Sequence, residues 1–171
     1  QTINLGGAME KNLVAILGGG NGGHAAAADL SLTGFKVNFF ELPQFAEPFE
    51  RVLRTKEVRI EGVSRDGVAR LNLATTNIHQ AIEEAEIVLV ITPAFGHRSM
   101  AEASAPHVQE GQTIVVMPGS GGSLEFAKIF KEKKVKKEIT FAETCTLPYG
   151  ARLKGPGHVS VLIYAVTLPT G

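Results

Sequence analysis

Residues 18–23, with the sequence GGGNGG, lie between an apolar run and an alanine-rich segment, and they constrain the fold more than any other feature. The run before them, Leu13–Leu17, has the composition of a strand that is buried on both faces. The segment after them has helical character and can end at Gly34. Because these glycines occupy a turn between a strand and a helix, they form the G-x-G-x-x-G pattern of a dinucleotide-binding βαβ unit.

The three glycines of this pattern have different predicted roles. Gly18 permits the tight turn, Gly20 lets the backbone approach a diphosphate, and Gly23 allows close contact between helix and strand. A diphosphate would lie at the helix N-terminus, where unpaired N–H groups and the helix dipole favour negative charge. We expect the backbone N–H of His24 to join this phosphate cradle. The same predicted site includes Asn21, Gly22 and His24.

Glu41 supports the dinucleotide hypothesis. It comes 18 positions after Gly23, at the end of the predicted second strand, Lys36–Phe40. A carboxylate at that place can accept hydrogen bonds from the ribose hydroxyls of the adenosine half. It would also repel the 2′-phosphate of NADP, and the chain has no Lys or Arg between Lys36 and Arg51 to offset this repulsion. The sequence therefore predicts NAD as the cofactor, with NADP less favoured.

The rest of the chain alternates short apolar runs with helical patterns. Further buried strands are expected at residues 87–91, 113–117 and 139–142, and helices between them, of which Asn77 and Ser123 can cap two. Two hairpins are expected, at residues 58–73 and 152–163. This alternation predicts an α/β, Rossmann-type doubly wound fold with a mostly parallel sheet and helices on both faces.

Ligands of open α/β sheets bind beyond the carboxyl ends of the strands, so residues that follow the strands are candidates for the remaining site. Pro93 and Pro118 can flank the nicotinamide, although each can equally serve only to end a strand. Gly119 can let the backbone approach the ring, and His97 either approaches the ring or is a helix-terminal or solvent histidine. The candidates at this rim are Thr92, Pro93, Ala94, His97, Pro118 and Gly119.

Composition narrows the function classes. Lys and Arg number 17 and Asp and Glu number 17, a net charge of +0 that disfavours nucleic-acid binding. The single cysteine, Cys145, excludes an intrachain disulfide and the cysteine-rich zinc patterns, and we expect it to be a small buried residue. Asp29 is expected to face solvent. No apolar run is long enough to span a bilayer, so we predict no membrane partner. Nothing resembles a secretory signal, which favours a reducing, cytoplasmic compartment. We also predict no metal site.

The sequence predicts three parts in the chain. Residues 1–8 are small or polar and are expected to be an upstream tail before a native start at Met9. Residues 9–165 are predicted to form the dinucleotide-binding domain. Residues 166–171 end in Pro169-Thr170-Gly171, which is typical of a linker, here toward a C-terminal domain that the chain does not include.

The motifs as a set resemble those of the opine dehydrogenases, the octopine/nopaline dehydrogenase-like family. The resemblance is carried by the GNGGH core of residues 20–24, by TPAFGH at 92–97, by PGSGGSLEF at 118–126 and by ETCTLPYGAR at 143–152. It covers the chain from Met9 onward. It implies an N-terminal NAD(P)-binding Rossmann domain followed by a helical substrate domain.

The same resemblance implies an activity. The family condenses a 2-oxo acid such as pyruvate with the amine of an amino acid, and hydride passes from NAD(P)H to the resulting imine. Its acid–base pair, a histidine with an acidic residue, belongs to the second domain, so no catalytic residue is assigned within this chain. The expected partners are the two small-molecule substrates, and a homodimer is a further expectation.

Two other functions stay open at this point. Another two-domain hydride-transfer enzyme, such as a ketopantoate reductase, would use the same cofactor domain. A non-catalytic module that senses NAD(H) would also bind at these glycines. A methyltransferase is less favoured because S-adenosylmethionine lacks the diphosphate for which the glycine turn is suited.

Overall fold

The computed structural model describes residues 12–165 and 167–171. The predicted tail at residues 1–8 and the start at Met9 lie outside the described residues. In chain order the elements are β1 Leu13–Leu17, α1 Asn21–Leu32, β2 Lys36–Phe40, α2 Glu50–Thr55, β3 Glu57–Gly62, β4 Gly67–Arg70, β5 Leu73–Thr75, α3 Ile78–Ile82, β6 Ile87–Val90, α4 His97–Ser104, β7 Thr113–Val116, α5 Gly122–Glu132, β8 Thr140–Glu143, β9 Tyr149–Gly155 and β10 His158–Tyr164.

Six strands form a parallel sheet in the order β5-β2-β1-β6-β7-β8. Numbered by their order in the chain, these strands run 3-2-1-4-5-6, which is the Rossmann order. All five residues of β1 are buried, which explains their continuous apolar run. The predicted Rossmann-type sheet is confirmed, and its strand order reverses between β1 and β6, the place where such folds bind dinucleotides.

A second sheet, in the order β4-β3-β10-β9, covers the outer side of α1. The two hairpins β3–β4 and β9–β10 form it by pairing β3 with β10 in parallel. Helix α1 is therefore packed between two sheets, and eight consecutive residues of it are buried. This position explains its alanines, because small side chains let both sheets approach the helix. The opposite face of the main sheet packs against α3, α4 and α5.

Three local predictions are settled by hydrogen bonds. The side chain of Asn77 accepts the N–H groups that begin α3, so the predicted cap is confirmed. The cap at Ser123 is wrong, because α5 begins at Gly122 and the Ser123 N–H donates to the Glu143 carboxylate at 3.0 Å. Residues 68–73 do not form one strand. The chain leaves β4 after Arg70 and joins the main sheet as β5.

Asp29 is buried, so the expectation that it faces solvent is wrong. The second sheet covers this part of α1, and Asp29 accepts hydrogen bonds from Arg65 Nε at 2.6 Å and from the Tyr149 hydroxyl at 2.9 Å. Burial, and then the Asp29 carboxylate, raise the pKa of Tyr149. The expectation that Cys145 is buried is also wrong. It is exposed, because β8 ends at Glu143 and Cys145 follows on the rim.

Candidate active site: a dinucleotide crevice

The three glycines of the turn differ in the space around them. A Cβ on Gly18 would lie 2.3 Å from the Ile91 carbonyl oxygen. The backbone φ of Gly18 is +117°, a value that residues with a side chain rarely adopt. A Cβ on Gly23 would lie 1.7 Å from the carbonyl oxygen of Gly18. At Gly20 an added Cβ meets no atom within 4 Å. Two of the glycines are therefore required by packing, and the third borders open space at the helix N-terminus.

His24 lies beneath this turn and not in it. Its backbone N–H donates to the Gly20 carbonyl at 3.0 Å, so the predicted role of this N–H in a phosphate cradle is wrong. The imidazole is 1% exposed and packs edge-on against Phe39 and Phe49, at centroid distances of 5.2 and 6.0 Å. Burial lowers the pKa of His24, which favours the neutral imidazole.

The Glu41 carboxylate faces the glycine turn. Its Oε2 accepts the Gly19 N–H at 2.7 Å and its Oε1 accepts the Leu42 N–H at 2.7 Å. Each oxygen keeps a further lone pair for another donor. Burial raises the pKa of Glu41, and the two backbone hydrogen bonds oppose that rise. The carboxylate is thus held at the end of β2, beside the turn.

Two adjoining cavities flank Gly20 at the carboxyl edge of the main sheet. One has a volume of about 250 Å³ and is lined in part by Glu41. The other has a volume of about 390 Å³ and is lined in part by the first turn of α1. They share the lining residues Gly20, Ile91, Thr92 and Pro93, and together we call them the crevice. Pro118, another predicted residue, lines the second cavity with Asn21 and Gly22.

Three predicted rim residues do not line either cavity: Ala94, His97 and Gly119. Ala94 begins a 3-10 turn, Ala94–Gly96, and is absent from the lining of both cavities. His97 is 2% exposed and packs against Gly122, so its predicted approach to the reactive ring is wrong.

Gly119 also lies outside both cavities. A Cβ there would lie 2.3 Å from the Glu143 Cβ, so the missing side chain makes room for Glu143, and an approach of the Gly119 backbone to the nicotinamide stays a prediction. Hydrogen bonds from Ser123 hold the pKa of Glu143 below its usual range.

Several residues that line the crevice have no counterpart among the predictions. Five of them come from three segments of the chain. Phe45 and Phe95, which are 57% and 86% exposed, border the Glu41 cavity. The other three come from the second sheet and the segment before it: Leu147, Tyr149 and Arg152. The signal available for these three was the sequence LPYGAR, but its position depends on the pairing of distant strands.

This sheet order, with a glycine turn opposite a carboxylate, defines a dinucleotide-binding domain of the kind found in dehydrogenases. A sequence model of the family described as "Ketopantoate reductase PanE/ApbA" matches residues 14–167, and the chain belongs to this family. None of the helices in the described part of the chain is long and apolar enough to cross a membrane.

The chain is similar to opine dehydrogenases. It is 36% identical over 154 residues to the opine dehydrogenase of Arthrobacter sp. (strain 1C), and 31% identical over 171 residues to that of Haliotis discus hannai. These matches cover 90% and 93% of this chain, and the chain spans about 42% of the length of either relative.

A solved structure of octopine dehydrogenase in complex with NADH and agmatine has the same fold. It matches with a TM-score of 0.78 at 27% identity, over 92% of this chain and 41% of that one. The resemblance to opine dehydrogenases stated from the motifs is confirmed.

Proposed function

We propose that this chain is the cofactor-binding domain of an opine dehydrogenase-like oxidoreductase. The enzyme would transfer hydride between NAD(H) and the C–N bond formed from a 2-oxo acid and an amino acid. One observation carries the proposal: the Glu41 carboxylate lies beside a glycine turn that is open at Gly20. The octopine dehydrogenase structures named for NADH with agmatine or pyruvate support the choice of cofactor and substrate class.

The crevice residues suit the parts of a dinucleotide. The open space at Gly20 would let a diphosphate reach the N-terminus of α1 without meeting a side chain. The free lone pairs of Glu41 would accept hydrogen bonds from the adenosine ribose hydroxyls. Pro93 and Pro118 border the cavity on the other side of Gly20 and would flank the nicotinamide. The bound cofactor supplies the hydride, and these residues orient it.

The substrate half of the enzyme is a separate part of the proposal. A hydride donor held by one domain needs a second wall that excludes water and orients the acceptor. We propose that a second domain provides this wall and the acid–base pair, after a linker that begins near residues 166–171. The predicted homodimer and cytoplasmic location remain predictions.

Glu41 also makes cofactor choice testable. A 2′-phosphate would lie against its carboxylate, so we expect NADH to bind about 10-fold more tightly than NADPH, a difference of about 1.4 kcal/mol. Glu41→Gln should narrow this ratio by weakening NADH binding and removing the repulsion of NADPH. Fluorescence titration with both cofactors measures the ratio. Comparable dissociation constants for the two cofactors in the unsubstituted protein would contradict the preference for NAD.

The raised pKa of Glu41 gives a pH prediction. Ribose hydroxyls donate to the ionised carboxylate, so a bound ligand stabilises that form and protonation weakens binding. The dissociation constant of ADP-ribose should be flat near neutral pH. It should rise as the pH falls through the Glu41 pKa, which lies above the usual value of about 4.3. Glu41→Gln should flatten this profile. A profile that keeps its acid limb in the Gln variant would assign it to another group.

The family match favours a second candidate, a ketopantoate reductase-like enzyme. Both candidates use the same cofactor domain and differ in the acceptor, since ketopantoate is reduced at a carbonyl and no amine takes part. The test measures NADH oxidation by the full-length protein. We expect oxidation to require both pyruvate and an amino acid, tested across a panel of amines. Oxidation with ketopantoate alone would instead assign the reductase activity.

A further inference from the structure

We propose that Arg152 binds the diphosphate of the dinucleotide. The inference rests on the proposed function and adds to it a residue from the second sheet, which lies outside the βαβ unit.

Strand β9 is attached to the first residue of α1. The Asn21 side-chain carbonyl accepts the Leu153 N–H at 2.8 Å, across 132 positions of sequence. Helix α1 also packs along β9. Arg152 precedes Leu153 and lines the same cavity as Gly20, Asn21 and Gly22. The arginine is therefore positioned by a specific hydrogen bond beside the open end of the helix.

The charge of the cavity points to an anionic ligand. Among the described residues that line it, Arg152 is the one with a cationic side chain, and none is an Asp or Glu. Glu41 lines the adjoining cavity, where its carboxylate accepts hydrogen bonds from two backbone N–H groups. The helix dipole contributes only about half a positive charge. A guanidinium beside the first turn would add a full positive charge opposite the two negative charges of the diphosphate.

The guanidinium of Arg152 is also available. Its Nη1 donates to the Ala151 carbonyl at 3.1 Å, and the part of the chain that the structure describes offers it no acidic partner within 4.0 Å. A guanidinium has five N–H donors in a planar arrangement that fits phosphate oxygens in pairs. Most of that donor capacity is free for a ligand. The diphosphate is the anionic group of a dinucleotide that would lie next to Gly20.

The experiment is calorimetric titration with ADP-ribose and, separately, with adenosine, which lacks the diphosphate. Arg152→Gln should weaken ADP-ribose binding about 10-fold, the loss of one charge-assisted contact, and leave adenosine binding unchanged. Arg152→Lys should recover part of the affinity. The matched control is Lys154→Gln, because Lys154 is exposed on the same strand and does not line the cavity. Its effect should stay within about twofold.

Salt and folding give two further readouts. The affinity for ADP-ribose should fall less steeply with ionic strength in Arg152→Gln than in the unsubstituted protein. The thermal unfolding midpoints of the two should agree, since the hydrogen bond that the described residues give this side chain is to the carbonyl of its own neighbour, Ala151. Equal ADP-ribose affinities, or an equal loss of adenosine affinity, would overturn the inference and leave the proposed function intact. Absence of ADP-ribose and NADH binding by the unsubstituted protein would instead overturn the proposed function.

Discussion

Gly23→Ala should destabilise the domain by about 3 kcal/mol or more, whereas Gly20→Ala should leave its stability nearly unchanged. The new Cβ at position 23 would lie 1.7 Å from the Gly18 carbonyl oxygen, so helix and turn must separate. Alanine has a higher helix propensity than glycine by up to about 1 kcal/mol, and the clash exceeds this gain. Chemical denaturation of both variants measures the difference.

NADH binding gives the second comparison, because the variant expected to keep its stability, Gly20→Ala, is the one expected to lose affinity. Gly20→Ala places a methyl group in the open space where we propose that the diphosphate lies, so NADH should bind at least about 10-fold more weakly to a folded protein. A Gly20→Ala variant that binds NADH normally would remove the diphosphate from this position. A Gly23→Ala variant of normal stability would contradict the packing of the turn.

Asp29→Ala should have the other large effect, a loss of about 3 kcal/mol in unfolding free energy. The change leaves the buried Tyr149 hydroxyl without its partner and removes the 2.6 Å contact with Arg65. Most of the loss comes from the buried side of the cluster. The Arg65 side chain is 41% exposed, and water replaces much of its lost partner.

Two matched variants calibrate this result. Tyr149→Phe removes one hydrogen bond and keeps the ion pair, so it should cost about 1 kcal/mol. Asp66→Ala removes a surface ion pair with Arg59, in which both side chains are largely exposed, and should cost less than about 0.5 kcal/mol. Equal losses for Asp29→Ala and Asp66→Ala in urea denaturation would show that the buried cluster does not hold the second sheet on α1.

The part of the fold that could be predicted is the part encoded locally. Strand β1, the glycine turn and α1 are adjacent in sequence, and each has its own pattern. Glu41 was found because it ends the next strand along the chain. Both hairpins were also predicted, since each is closed by a short turn with glycine.

The pairing of the two hairpins into one sheet could not be predicted. Pairing of β3 with β10 brings Arg59 beside His158, and no local pattern indicates a parallel contact over that separation. Three results follow from this one sheet. Asp29 is buried instead of exposed, α1 is covered on its outer side, and Arg152 reaches the crevice. A sequence pattern shows which face of an element is apolar, but not which distant element covers it.

The rim was predicted only in part, for a different physical reason. Parallel strands end at one edge, so residues after them were correctly placed near each other. Which side chain fills the space is decided by packing. Glu143 occupies the place next to Gly119, and the N-terminal turn of α5 covers His97. Spacing in the sequence does not contain those contacts.

The most direct test of the account is the affinity of the chain for NADH with and without the Glu41 carboxylate. Glu41→Ala should raise the dissociation constant roughly 30-fold, since two ribose hydroxyls lose a charged acceptor. Glu47→Ala, at an exposed glutamate nearby in sequence, should leave it unchanged. Weak binding in Glu41→Ala alone is the predicted result. Equal binding in all three proteins, or no binding of NADH by the unsubstituted chain, would contradict the claim that this crevice holds a nicotinamide dinucleotide.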